Sequence, residues 1–144
     1  MIKLIKNNDT TYAKIIRSSY QTKDTEFFTD EKDEIQLGVI TYPKNHKTGA
    51  HYHNHLNKKT TKTDEILIIQ KGSARVDFYD TKGEYIKSSE IFQGDILIIH
   101  AGGHNIVFYE DTKVMVIKSG VYDKKCAKTR MVGTNNSELF IEND

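Results

Sequence analysis

Residues 65–83 read Glu-Ile-Leu-Ile-Ile-Gln-Lys-Gly-Ser-Ala-Arg-Val-Asp-Phe-Tyr-Asp-Thr-Lys-Gly, and this stretch decides the fold class. Its first residues form an apolar, β-branched run that ends at Gly72, as a buried strand would. Residues 74–79 alternate apolar and polar side chains, which is the pattern of a strand with one buried face. Residues 80–83, Asp-Thr-Lys-Gly, have the composition of a hairpin turn. The stretch therefore predicts short strands joined by tight turns.

The same rhythm continues on both sides of this stretch. Further strands are predicted at residues 2–5, 12–16, 35–42, 50–56, 84–92, 96–99, 104–109 and 113–118. A short helix is an alternative for residues 12–16. Strands that recur roughly every 8 to 12 residues, with turns between them, predict an all-β sandwich or small barrel.

Composition limits the class of protein. The chain has 144 residues, 37% of them hydrophobic and 28% charged, which is typical of one globular domain. A net charge of +1 argues against binding to nucleic acid or to an anionic membrane. No apolar run approaches the roughly 20 residues that span a bilayer, and no signal-peptide pattern is present. With Cys126 as the single cysteine, no internal disulfide is expected, so we predict a cytoplasmic protein.

Three histidines alternate in Gly49-Ala-His-Tyr-His-Asn-His55. Alternate side chains of a β-strand share one face about 6.5 to 7 Å apart, so two neighbouring imidazoles can bind one ion. On a helix the same residues would diverge. The spacing predicts a metal site on a strand, with His51 and His53 as ligands. His55 replaces His51 if the strand register slips by two residues.

The residues that follow resemble the first motif of the cupin superfamily, whose members are double-sheet jelly rolls that often carry a metal. That motif pairs two histidines one residue apart with a glutamate and then a glycine, as His51, His53, Glu65 and Gly72 do here. The gap between the histidines and the glutamate is longer here than in the motif. A lysine-bearing loop is therefore inserted at this point.

A second cupin motif runs from a glycine to a proline-containing turn and a histidine, and Gly94 and His104 match its ends. His100 stands where the motif has proline, and Phe108 stands where an asparagine is usual. The resemblance covers residues 35–118. It implies a double-stranded β-helix, or jelly-roll barrel, in one domain of residues 1–144, with extra N-terminal strands in residues 1–33 and a C-terminal extension of residues 120–144.

The resemblance also implies a metal site made of His51, His53, Glu65 and His104. Three imidazoles and a carboxylate suit a divalent transition metal ion, namely Fe, Mn, Ni, Cu or Zn. A metal-free, hydrogen-bonded pocket of the same histidines is the alternative. His55 and His100 are the candidates for a catalytic acid or base.

Two adjacent acidic residues, Asp64 and Glu65, precede the apolar residues 66–69, and they are expected to lie in different environments. Glu65 would be expensive to bury unless it were paired or bound to a metal. Asp64 is expected to face the opposite way, toward solvent, because successive side chains of a strand alternate.

The expected function is that of a metal-binding cupin acting on a small molecule. The resemblance suggests a sugar or sugar nucleotide of bacterial surface-polysaccharide metabolism, with isomerase, epimerase or oxygenase chemistry. A binding module without catalysis and a metal-free sugar-nucleotide isomerase or epimerase are the alternatives. Lys58, Lys59 and Lys62 of the inserted loop would attract an anionic substrate, or else are simply solvated. The resemblance also implies a homodimer, for which the N-terminal strands are the candidate contact.

Overall fold

The computed structural model describes residues 1–22, 25–39, 42–51, 53 and 60–120. All regular structure in these ranges is β, which confirms the all-β prediction. The strands are β1 (Ile2–Asn7), β2 (Thr10–Ile16), β3 (Glu26–Phe27), β4 (Gly38–Val39), β5 (Glu65–Lys71), β6 (Ser73–Tyr79), β7 (Tyr85–Phe92), β8 (Ile96–Ile99), β9 (Gly103–Phe108) and β10 (Lys113–Lys118). Within the described ranges, no helix is long and apolar enough to cross a membrane.

The strands form antiparallel sheets that enclose the main core. One sheet has the order β1-β2-β8-β5-β10, a second has the order β7-β6-β9, and β3 pairs with β4. Apolar side chains from the first two sheets, among them Leu67, Phe78 and Leu97, meet in one buried cluster, which we call the inner core. Two antiparallel sheets facing each other are consistent with a jelly roll. The specific cupin fold stays a prediction.

The other face of the five-stranded sheet is also covered. Ile66 and Ile98 point to this face and are buried against Phe28, with Ile35 and Leu37 packed beside them. We call this cluster the outer core. The segment 25–39, which carries β3 and β4, supplies the covering side chains. Because both faces of the sheet are buried at β5, the middle of this strand is continuously apolar in sequence and does not alternate with polar residues.

Two predicted strands are largely absent from the described residues. Of the predicted strand 35–42, only Gly38–Val39 is a strand, while residues 40–41 lie outside the described residues. The prediction of a histidine strand at 50–56 is wrong for Ala50, His51 and His53, which are exposed and belong to no strand. The remaining positions, 52 and 54–56, lie outside the described residues. Alternation alone does not form a strand, because a strand also needs a neighbour for its backbone hydrogen bonds.

The strand β1 forms one edge of the five-stranded sheet. Leu4, on this strand and in the segment predicted to contact a second copy, is 41% exposed. The homodimer itself stays a prediction. Cys126 and the rest of the C-terminal extension from residue 121 lie outside the described residues.

The turn from β8 to β9 depends on Gly102, which has φ of +73°. A Cβ atom at this position would overlap the backbone carbonyl oxygen of Tyr79 and would lie 2.8 Å from the ring of Tyr12. Since Tyr79 lies on β6 and Tyr12 on β2, the glycine lets the chain pass between the two larger sheets. This passage sets the position of His104 on β9.

We expect Gly102→Ala to lower the free energy of unfolding by about 2 to 4 kcal/mol, from left-handed strain plus the overlap with Tyr79. Gly49 is the matched control, because its φ is also +73° but nothing lies within 4 Å of its Cβ position. Gly49→Ala should cost only about 1 kcal/mol of strain. Urea unfolding of both variants measures the difference. Equal losses would contradict the packing role of Gly102.

Candidate functional site at the end of β5 and β8

The pairing of β5 with β8 places two carboxylates on opposite faces of one sheet. Glu65, the first residue of β5, is opposite Ile99, the last residue of β8. Asp64 and His100 follow as the next opposed pair beyond the ladder, with side chains on the other face. The backbone of Asp64 is fixed, since its N–H donates to Ser119 Oγ at 2.9 Å and its carbonyl accepts from Ser119 N at 3.1 Å.

The inner group consists of Glu65, His104 and Lys118. Oε2 of Glu65 lies 3.5 Å from Nε2 of His104, and Oε1 of Glu65 lies 3.1 Å from Nζ of Lys118. His104 of β9 is opposite Phe78 of β6, and Lys118 of β10 is opposite Glu65 of β5. The group therefore joins the two larger sheets. The Glu65 side chain is 17% exposed and that of His104 29%, which leaves the group reachable from solvent at the end of the inner core.

The structure brings together two of the four predicted metal ligands. Glu65 and His104 meet, whereas His51 and His53 lie on an exposed segment with their ring centroids 5.3 Å apart. Nδ1 of His51 is 3.0 Å from the carbonyl oxygen of Gly49. No three of these four residues are gathered closely enough to hold one ion in the described ranges. The four-ligand site therefore stays a prediction. The alternative ligand His55 and the loop lysines 58 and 59 lie outside the described residues.

The described residues do contain another group that could hold a metal ion, namely Asp33, Asp64 and His100. One ligand atom from each lies within 4.8 Å of the others. Nδ1 of His100 is 3.6 Å from Oδ2 of Asp64. Nζ of Lys62 lies 3.2 Å from Oδ1 of Asp64 and 3.6 Å from Oδ1 of Asp33. We call these three ligand residues the outer group, because they lie on the side of the sheet that the outer core covers.

The prediction that Asp64 faces solvent is wrong. Asp64 does point away from Glu65, but its exposure is 0%, because the outer core and the segment 25–39 cover that face. His100, predicted as a candidate acid or base, faces Asp64, and its side chain is 10% exposed. Asp33 was missed altogether, because it lies in a polar stretch and reaches the sheet only through long-range packing. Lys62, for which attraction of an anionic substrate and simple solvation were the two alternatives, has its ammonium beside two carboxylates.

Hydrogen bonding distinguishes Asp64 from other buried aspartates. Asp95 accepts hydrogen bonds from Arg17, from the backbone N–H of Ser18 and from that of Phe92. Asp77 accepts from Ser88 and Asn105 and lies 3.0 Å from Nε of Arg75. In contrast, among the described residues neither carboxylate oxygen of Asp64 and neither ring nitrogen of His100 has a hydrogen-bond partner, although Oδ1 of Asp64 forms an ion pair with Lys62. Buried polar groups of this kind are uncommon and suggest a ligand.

A clamp holds the loop before β5 against the covering segment. Oε1 of Glu34 accepts hydrogen bonds from the N–H of Thr61 at 2.6 Å and from its hydroxyl at 2.7 Å. Both bonds lower the pKa of Glu34, and the bond from the Thr61 hydroxyl has the larger effect. The clamp fixes Asp33 beside the residues that follow Thr61, which include Lys62 and Asp64.

A cavity of about 360 Å³ lies elsewhere, beside the end of β2. Arg17 is the charged residue of its described lining, which also includes Tyr20 and Phe28. The guanidinium of Arg17 is already bonded to Asp95 at 2.6 Å and to the carbonyl of Glu90 at 2.9 Å. Since the charge of Arg17 is already paired with Asp95, we place the candidate site at the end of β5 and β8 instead.

No family model, curated protein or solved structure gives a significant match to this chain.

We expect Asp64→Asn to raise the free energy of unfolding of the metal-free protein by about 1 kcal/mol, because it removes a buried carboxylate that makes no hydrogen bond to the described residues. Its ion-pair partner Lys62 is 44% exposed, so the ammonium can be solvated instead of being left buried without a partner. Asp95→Asn is the matched control, since Asp95 is also buried but fully hydrogen-bonded, and it should cost about 3 kcal/mol. Urea unfolding in a chelating buffer measures both. A large loss of stability in Asp64→Asn would show that this carboxylate is a structural element.

Proposed function

We propose that this protein binds a small molecule at the end of the inner core and acts on it together with a divalent transition metal ion. The class of molecule is that suggested by the cupin resemblance, a sugar or sugar nucleotide. One observation carries the proposal. Glu65 and His104 come from the two separate motifs of the resemblance, and they lie 3.5 Å apart in a position open to solvent.

The inner group offers three kinds of polar contact to such a molecule. The carboxylate of Glu65 accepts hydrogen bonds from hydroxyl groups, the imidazole of His104 donates or accepts, and the ammonium of Lys118 donates. A carboxylate beside an imidazole can also take a proton from a bound molecule and return it elsewhere. Proton transfer of this kind is what an isomerase or epimerase needs.

The metal ion of the proposal is Fe, Mn, Ni, Cu or Zn. Glu65 and His104 would hold it, with His51 and His53 as the further ligands that the resemblance implies. The ion would polarise a carbonyl or hydroxyl group of the bound molecule.

A second candidate function, proton transfer without a metal, is favoured by Lys118. Its ammonium lies 3.1 Å from Oε1 of Glu65 and thus takes the place of a cation beside this carboxylate. In this reaction Glu65 and His104 alone would move the proton, and Lys118 would hold Glu65 in place.

The test combines ligand binding with elemental analysis of the full chain. UDP-glucose and dTDP-glucose, tested by calorimetry, are expected to bind the wild type. Glu65→Gln and His104→Gln should each weaken binding by about tenfold or more, because each removes a charge-assisted hydrogen bond. Glu84→Gln and His46→Gln are the matched controls, since both residues are exposed and distant in sequence from the inner group.

The metal content then separates the two candidates. One equivalent of metal that the wild type binds and both site variants lose would support the metal-dependent function. A wild type that binds the nucleotide sugar, with a metal content that neither substitution lowers, would support proton transfer without a metal. Site variants that bind like the wild type would refute both.

A further inference from the structure

We propose that Asp33, Asp64 and His100 form a second, independent site for a divalent transition metal ion such as Zn²⁺, and that the Lys62 ammonium competes with the ion for it. This site lies on the opposite face of the sheet from Glu65. It is separate from the resemblance to cupins, whose motifs include neither aspartate. It does not depend on the proposed function.

The first step is geometric. Asp64 and His100 are held opposite each other by the last pair of the β5–β8 ladder, Glu65 with Ile99. Two ligand atoms bound to one Zn²⁺ at about 2.0 to 2.2 Å are themselves about 3 to 3.5 Å apart. The 3.6 Å between Oδ2 of Asp64 and Nδ1 of His100 is close to that separation. Asp33 supplies the third ligand within 4.8 Å.

The second step is the state of the buried atoms. Asp64 is 0% exposed and the His100 side chain 10%, and none of their side-chain oxygen or nitrogen atoms has a hydrogen-bond partner in the part of the chain that the structure describes. The backbone groups beside them are nevertheless satisfied, since the N–H of His100 donates to the carbonyl of Tyr12 at 2.8 Å. The fold therefore fixes the positions of these side chains, while the ion pair of Asp64 with Lys62 is the contact that an entering ion would replace. Buried atoms that could bind a metal and lack hydrogen bonds are suited to an ion.

The third step concerns Lys62. Its ammonium lies within 4 Å of a carboxylate oxygen from each of Asp33 and Asp64, which is where a cation between them would sit. The Lys62 side chain is 44% exposed, so it can move into solvent at little cost when an ion enters. A lysine at this point neutralises part of the charge of the two carboxylates, yet the Asp64 oxygens make no hydrogen bond to any described residue.

The ligand set indicates the class of ion. An imidazole with two carboxylates suits Zn²⁺, Mn²⁺ or Fe²⁺ and is less suited to Ca²⁺ or Mg²⁺, which prefer oxygen ligands alone. Bound there, the ion would connect the covering segment, through Asp33, to the ends of β5 and β8. It would thus fix the backbone next to Glu65 without touching the inner group.

The experiment titrates Zn²⁺ into the full chain after chelation, followed by calorimetry, with Co²⁺ absorption as a second readout. Asp64→Asn and His100→Gln should each weaken binding by more than about tenfold, as loss of a ligand does. Lys62→Met should tighten binding by about fivefold or more, because a competing charge is removed. Thermal unfolding checks that each variant is folded.

Two control variants keep this site distinct from others. Glu65→Gln combined with His104→Gln should leave one equivalent of Zn²⁺ bound to the outer group, so failure of the proposed function does not affect this test. His51→Gln combined with His53→Gln should also leave that equivalent in place, which separates the site from binding by exposed histidines. Unchanged affinity in Asp64→Asn would overturn the site. Unchanged or weaker affinity in Lys62→Met would overturn the competition.

Discussion

The antiparallel pairing of β5 with β8 is the constraint on which both candidate groups depend. These strands lie inside the five-stranded sheet, with β10 on one side and β2 on the other, so their register is held by hydrogen bonds on both edges. Both faces of the pair are buried, and a shift by one residue would exchange the faces. The register therefore determines that Glu65 faces the inner core and Asp64 faces the outer core.

Much of this fold could be predicted from local patterns. Turn residues and apolar runs predicted the strands around Gly72, and eight of the predicted strands correspond to β1, β2 and β5 to β10. The predictions that were wrong depend on contacts between residues far apart in the sequence. The three alternating histidines satisfied the local pattern of a strand, but the described ones have no strand beside them. Local spacing contains no information about such a partner.

The environment of Asp64 could have been inferred with one more step. The run 66–69, Ile-Leu-Ile-Ile, has no polar position, and a strand of this kind is buried on both faces. Asp64, two residues before Ile66, lies on the same face of the strand as Ile66 and Ile68 and is therefore expected to be buried with them. What no local pattern contains is the identity of the covering segment, so Asp33 could not be placed beside Asp64 from the sequence. The resemblance, and no local pattern, implied that Glu65 and His104 lie together, and these side chains are 3.5 Å apart.

The two bonds between Asp64 and Ser119 have a consequence for the spacing of the two groups. They join the residue before β5 to the residue after β10, at the point where the inner and outer groups are separated by a single peptide unit. Asp64 is held at the end of β10, and Glu65 is held in the ladders with β8 and β10, so this peptide unit is restrained at both ends. The two faces of the sheet therefore present their carboxylates at a constant separation.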